Sequence, residues 1–167
     1  MDIRVETKLT VKELFDFMIR HFYSTIGGIC GVLLSVGALV MFFSNVTNTD
    51  MTVAYKVALV FIALLFTVIQ PIMLYFKAAG QIKNSEAING DLVYEFNNSG
   101  ISISQGENNV SHTYEDVTKV ISTRFSIILY INKYRAFIIP KRSIDVQFED
   151  FKNLIVANVD ARTVKVK

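Results

Sequence analysis

The chain has one cysteine, two prolines and two histidines among 167 residues, and each scarcity closes off a class of chemistry. A single cysteine, Cys30, leaves no disulfide framework and no thiolate metal site. His21 and His112 stand far apart with no HxxxH or HExxH spacing, whereas a zinc site needs three or four convergent ligands. No glycine-rich loop cradles a phosphate, since Gly27-Gly28 lies in an apolar run and Gly100 in a turn. Ser143 has no GxSxG elbow and no histidine after it. Glu115 and Asp116 stand side by side where a strand begins, a position typical of a solvated turn rather than an acid/base pair. The expectation is a protein without catalysis, cofactor or metal. A net charge of +2, thinly spread, also argues against a nucleic-acid partner.

The most informative absence is of charge. From Phe22 to Thr49 no residue carries one, and none does from Val57 to Phe76. About twenty helical residues rise roughly 30 Å, the hydrocarbon thickness of a bilayer. A helix apolar on every side has no place on the surface of a small domain. Two spans, about 23–44 and 56–77, are therefore expected as a hairpin within residues 23–83. A signal peptide would be shorter, would lie nearer the N-terminus and would not be followed by a second span. Burial inside a globular core would need more surrounding chain than the ninety or so residues that follow.

Ahead of the spans, residues 1–22 read as a short strand and an amphipathic helix. Residues 3–9 alternate apolar and polar, and Thr10 with Glu13 fits a capping box. Leu14, Phe15, Met18, Ile19 and Phe22 then follow at helical spacing, forming a face for either the bilayer interface or the C-terminal domain. In the first span Gly27, Gly31 and Ser35 recur every fourth residue, with Ala38 extending the stripe. Small residues let two helices approach closely. The partner is either the second span, through side chains such as Phe61, Leu65 and Val68, or a second copy of the chain. Pro71 is expected to kink the second span beside Gln70, which reads as an interhelical hydrogen-bonding residue. Lys8, Lys12 and Arg20 precede the spans and Lys77 and Lys83 follow them, against Lys56 alone on the connector side. The positive-inside rule then places both termini in the cytoplasm.

From Leu92 the period changes to two. Leu92, Tyr94 and Phe96 alternate, Asn97 to Gly100 makes a turn, and Ile101 and Ile103 alternate with serines. After a second turn, Val110, His112 and Tyr114 share a face, with His112 expected as a hydrogen-bonded sheet histidine. Val117 to Phe125, Ile127 to Ile131 and Arg135 to Ile139 complete six strands, the last two apolar on both faces as central strands are. Pro140 closes the last one. Phe148, Phe151, Leu154 and Ile155 mark a C-terminal helix with Glu149 and Asp150 in its first turn. Residues 88–160 are read as an α+β domain, an antiparallel bent sheet with a C-terminal helix that folds by itself, and 161–167 as a disordered tail.

The layout resembles the YcxB-like group of small bacterial membrane proteins, with two spans before a pleckstrin-homology-like (PH-like) domain. The residues that carry the resemblance are Tyr94-Glu95-Phe96 through Gly100-Ile101, Tyr114-Glu115-Asp116-Val117, and above all Phe137-Ile138-Ile139-Pro140-Lys141-Arg142. Tyr114 departs from the group's pattern, where tryptophan is common. The resemblance implies a multi-pass protein of the bacterial inner membrane and brings no activity with it. Lys133, Arg135, Lys141 and Arg142 flank one strand and are the candidates for contact with anionic headgroups or a partner protein. The function expected is a cytoplasmic PH-like binding module on a membrane anchor. The alternative is an accessory or immunity-type subunit whose spans contact another membrane protein.

Overall fold

The structure, a computed structural model, describes residues 2–47, 50–85, 88, 90–131, 135–160 and 162–166. It divides into two compact units, Met1–Phe17 with Ala79–Lys167, and Met18–Ala78. In sequence the second unit interrupts the first.

The interrupted unit holds two four-stranded sheets. In one, β1 (Ile3–Thr7), β2 (Leu92–Asn97), β3 (Gly100–Gln105) and β4 (Asn108–His112) lie in chain order, all antiparallel. The other has the order β7 (Arg135–Pro140), β6 (Ser126–Ile131), β5 (Val117–Ser122), β8 (Val164–Lys165). The period-two pattern of the N-terminus does make a strand, and β1 completes the first sheet. Ile3 faces Phe96 and Val5 faces Tyr94 in register, and all four are buried. Residues 2–17 are therefore part of this unit, and the stretch 1–22 is not a segment of its own. The helix α1 (Val11–Tyr23) begins in it too, with Leu14 buried and the Phe17 ring 6.5 Å from that of Tyr130. Of the two faces open to the amphipathic helix, its first turns take the domain.

The helix α6 (Phe148–Asn158) fills the core with Phe151, Leu154 and Ile155. Phe151 meets Phe96 edge-on at 5.0 Å, a favoured aromatic geometry. A shorter helix, α5 (Lys141–Ile144), follows Pro140 directly. Two expectations change. β7 is an edge strand, not a central one, and only its Ile138–Pro140 end is buried. The tail is not disordered throughout, because Val164 and Lys165 pair in parallel with Val120 and Ile121 and thereby cover the β5 edge. The turn at Asn97 is built as its residues dictate, with Asn97 Oδ1 accepting from the Ser99 and Gly100 amides. A Cβ at Gly100 would run into the His112 carbonyl, so only glycine fits there.

The other unit is a helical hairpin. Thr25 caps α2 (Ile26–Asn45), and Thr52 caps α3 (Val53–Leu64). The second arm continues through a π-helical turn, Leu65–Ile69, into α4 (Gln70–Asn84). Both arms are long and apolar enough to cross a membrane, and most of each is exposed. Ile26 is 82% exposed and Phe43 70%, which in water would be an aggregation hazard. The small-residue stripe packs within the chain. A Cβ at Gly31 would strike the Phe66 ring, Ser35 Oγ donates to the Ile62 carbonyl at 3.1 Å, and Ala38 lies with Leu59 and Ala63. The facing positions are thus Leu59, Ile62 and Phe66, while Phe61 and Val68 point outward. A Cβ at Gly27 would meet nothing within 4 Å, so this glycine takes no part.

Pro71 shapes the second arm through its missing N–H rather than by a simple kink. The Gln70 amide reaches back five residues to the Leu65 carbonyl, as in a π-turn. Phe66 then has no backbone donor in either register: its α partner is diverted and its π partner would be Pro71. The hydroxyl of Tyr23 donates to that carbonyl instead.

Candidate functional site

The basic residues singled out around β7 do not form one patch. Arg135 stands at the start of that strand and Lys141 and Arg142 beyond its end, roughly 17–20 Å apart for six extended residues. Lys133 lies outside the described residues. Arg142 is engaged internally. Its Nε donates to Glu13 Oε1 at 3.0 Å and its Nη2 to the Lys8 carbonyl at 2.6 Å, which ties α5 to the start of α1. The Glu13 side chain is only 5% exposed and also accepts from the Thr10 amide at 2.8 Å and from the Thr10 hydroxyl. Burial pushes this carboxyl up, but the hydrogen bonds from Thr10 and Arg142 outweigh it and hold the group below its ordinary value.

Lys141 leads to a different centre. Its amide donates to the Phe125 carbonyl at 2.9 Å, and its ammonium lies 5.9 Å from the Phe148 ring. Phe125 is half-buried in the tight turn between β5 and β6. Lys12 Nζ sits 4.0 Å from the centroid of its ring, and the Arg124 guanidinium 5.2 Å from it. Residues far apart in sequence thus bring cations to one aromatic. Lys12 occupies the first turn of α1, where the helix dipole disfavours a cation, and the electron-rich ring face offsets that cost.

The sequence reading ran Phe125 into a strand that ends at Ser122 in the structure. The turn was missed because it contains no Gly, Pro or Asn. Thr123 closes it through its side chain, Oγ1 donating to the Ser126 carbonyl and accepting from the Ser126 amide, both at 2.9 Å. Thr123 and Ser126 are buried, and Arg124 is exposed. An Arg-Phe pair between two hydroxyl residues was the available signal.

Elsewhere, Ser143 Oγ lies 2.7 Å from Thr7 Oγ1 and holds β1 to α5. Asp116 caps a 3-10 turn, Tyr114–Asp116, by accepting from the Thr113 amide at 3.0 Å. His112 does not make the hydrogen bond expected of it. Its Nδ1 is 3.8 Å from Asp116 Oδ2, its Nε2 is buried without a partner among the described residues, and its ring lies against Phe137. It borders a cavity of about 280 Å³ with Ser99, Ser102 and Ser111. Tyr114 donates its hydroxyl to the Asn97 carbonyl at 2.8 Å. Burial pushes its pKa up to about 12, so it stays a donor at any physiological pH. Among the described residues no three His, Cys, Asp or Glu side chains converge on a metal position.

Two sheets with a helix in their core, interrupted in the chain by a pair of long apolar helices, define the class of protein. Residues 96–155 match the family model described as YcxB-like protein. No curated protein matches the chain.

Proposed function

We propose that this chain is a multi-pass protein of the bacterial inner membrane whose hairpin anchors a PH-like domain at the cytoplasmic face. That domain binds an anionic lipid headgroup or a protein partner and carries out no catalysis. The observation that carries the reading is the pairing of β1 with β2 across the hairpin. Both flanks of the apolar segment run into one sheet, so a bilayer-spanning hairpin must leave and re-enter on the same side. The basic residues flanking it favour the cytoplasm as that side. The PH-like assignment is supported by a sheet of four antiparallel strands, a second sheet whose β5, β6 and β7 are antiparallel with the short parallel β8 added at its edge, and a helix in the core.

The alternative, an accessory or immunity-type subunit acting through its spans, has one observation in its favour. A groove of about 480 Å³ between α2 and α3 is lined by Cys30, Leu34, Gly37 and Met41 and is open on its outer side. Cysteine labelling in intact cells tests the topology. In a Cys30→Ala background, Ser99→Cys should react only from the cytoplasm and Asp50→Cys only from outside. Labelling of both from the same side would overturn the hairpin anchor. Headgroup binding and partner capture with the spans exchanged for unrelated ones separates the two readings: retained binding favours the domain, lost binding the groove.

A further inference from the structure

We infer that the Phe125 turn is the surface by which this protein engages an anionic bilayer. Lys12 and Arg124 take lipid phosphates beside the ring, and the ring enters the headgroup layer. The inference rests on the membrane-anchored reading above, adds to it a site and selects the lipid from its two ligand classes. The two cations share one aromatic, at 4.0 and 5.2 Å. Among the described residues, neither has a carboxylate within ion-pair distance. The nearby acid Glu13 is taken up by Arg142, so it does not neutralise them. An aromatic flanked by basic side chains suits the interface, where its apolar body and the cations find different layers.

Preorganisation points the same way. Thr123 locks the turn from within, so little freedom is lost on contact. The Lys141 amide adds a backbone hydrogen bond to the Phe125 carbonyl. A bilayer is favoured over a free anion or an acidic protein by connectivity. Lys12 lies on α1, the helix that leads along the chain into the first apolar arm, so lipid is presented at high local concentration.

The chain contains no tryptophan, so Phe125→Trp supplies a single fluorescent reporter in the full protein. Reconstituted in nanodiscs with brominated lipids, it should be quenched about twofold more in phosphatidylglycerol-containing discs than in neutral ones. High salt should remove the difference, as should Lys12→Gln with Arg124→Gln. A second reporter, Phe61→Trp on the exposed face of the hairpin, tests the anchor separately. If it is unquenched, the membrane reading itself falls. If it is quenched while the reporter at 125 ignores lipid charge, only the Phe125 site falls. An equal spectral shift with inorganic phosphate in detergent would assign the site to a free anion, and one with a polyglutamate peptide to a protein, and either overturns the bilayer proposal. Hydrogen exchange of residues 123–126 in the unsubstituted chain gives the same comparison should Phe125→Trp not fold: slower exchange in anionic discs supports the site, and no difference overturns it.

Discussion

The hydroxyl of Tyr23 donates to the carbonyl of Phe66, the group that Pro71 leaves without a backbone donor. Tyr23→Phe should therefore weaken the hairpin by about 1 kcal/mol, the usual net worth of such a hydrogen bond. Pro71→Ala restores an N–H, lets the helix return to its ordinary register and returns the Gln70 amide to Phe66. On that background Tyr23→Phe should cost nearly nothing. A double-mutant cycle on unfolding in micelles, followed by circular dichroism, measures the coupling. Additive effects would show that Tyr23 and Pro71 act independently.

Gly31 gives a second test within the hairpin. Gly31→Leu drives a side chain into the Phe66 ring and should separate the arms, at a cost of about 1–3 kcal/mol. Gly27→Leu, at a position with nothing within 4 Å, should leave intrachain stability almost unchanged. If the two substitutions behave alike in micelles, the stripe does not pack as described.

These positions show how far the sequence was legible. Gly27, Gly31 and Ser35 share a spacing, and spacing alone does not say which of them meets a partner. The phase of the second arm depends on a π-turn, which comes from the combination of Pro71 with a distant hydroxyl and leaves no local periodicity to read. The strands were legible because alternate residues face the core, as in Tyr94, Phe96, Ile101 and Ile103. β1 was recognised as a strand, but its partner stands beyond the entire hairpin, and pairing across such a separation has no local signature. The Phe125 cluster was illegible for the same reason, since Lys12 and Arg124 meet only after folding.

Long-range pairing makes a prediction about domain boundaries. Residues 88–160 alone lack β1 and β8, which exposes the β2 edge and removes Ile3 and Val5 from the core. Each of those two side chains is worth about 1.5–3 kcal/mol when buried. The fragment should melt without cooperativity or aggregate, contrary to the expectation of independent folding from the sequence. Joining residues 1–17 to 79–167 through a short glycine-serine linker should restore a cooperative melt in calorimetry. A cooperative melt from 88–160 itself would show that β1 is dispensable.

The ion pair between Glu13 and Arg142 sets an acid limit on this domain. The folded carboxyl is held below its ordinary value of 4.5, so ionisation favours the folded state. Its contribution is fully present above that ordinary value and is lost as pH falls through the lower, folded one. The melting temperature should drop on acidification across that window, and Glu13→Gln should remove part of the slope while lowering stability at neutral pH. Arg142→Ala leaves a buried carboxylate with Thr10 alone and should cost on the order of 1–3 kcal/mol at neutral pH, the guanidinium being half exposed. Lys141→Ala should change the melt little, because its backbone amide, which survives the substitution, makes the bond to Phe125. Thermal melts of the three variants from pH 7 to pH 3 check the sign and the order. A melt of Arg142→Ala indistinguishable from that of Lys141→Ala would mean the Glu13–Arg142 ion pair contributes nothing, and Arg142 would rejoin the basic residues that could meet a headgroup.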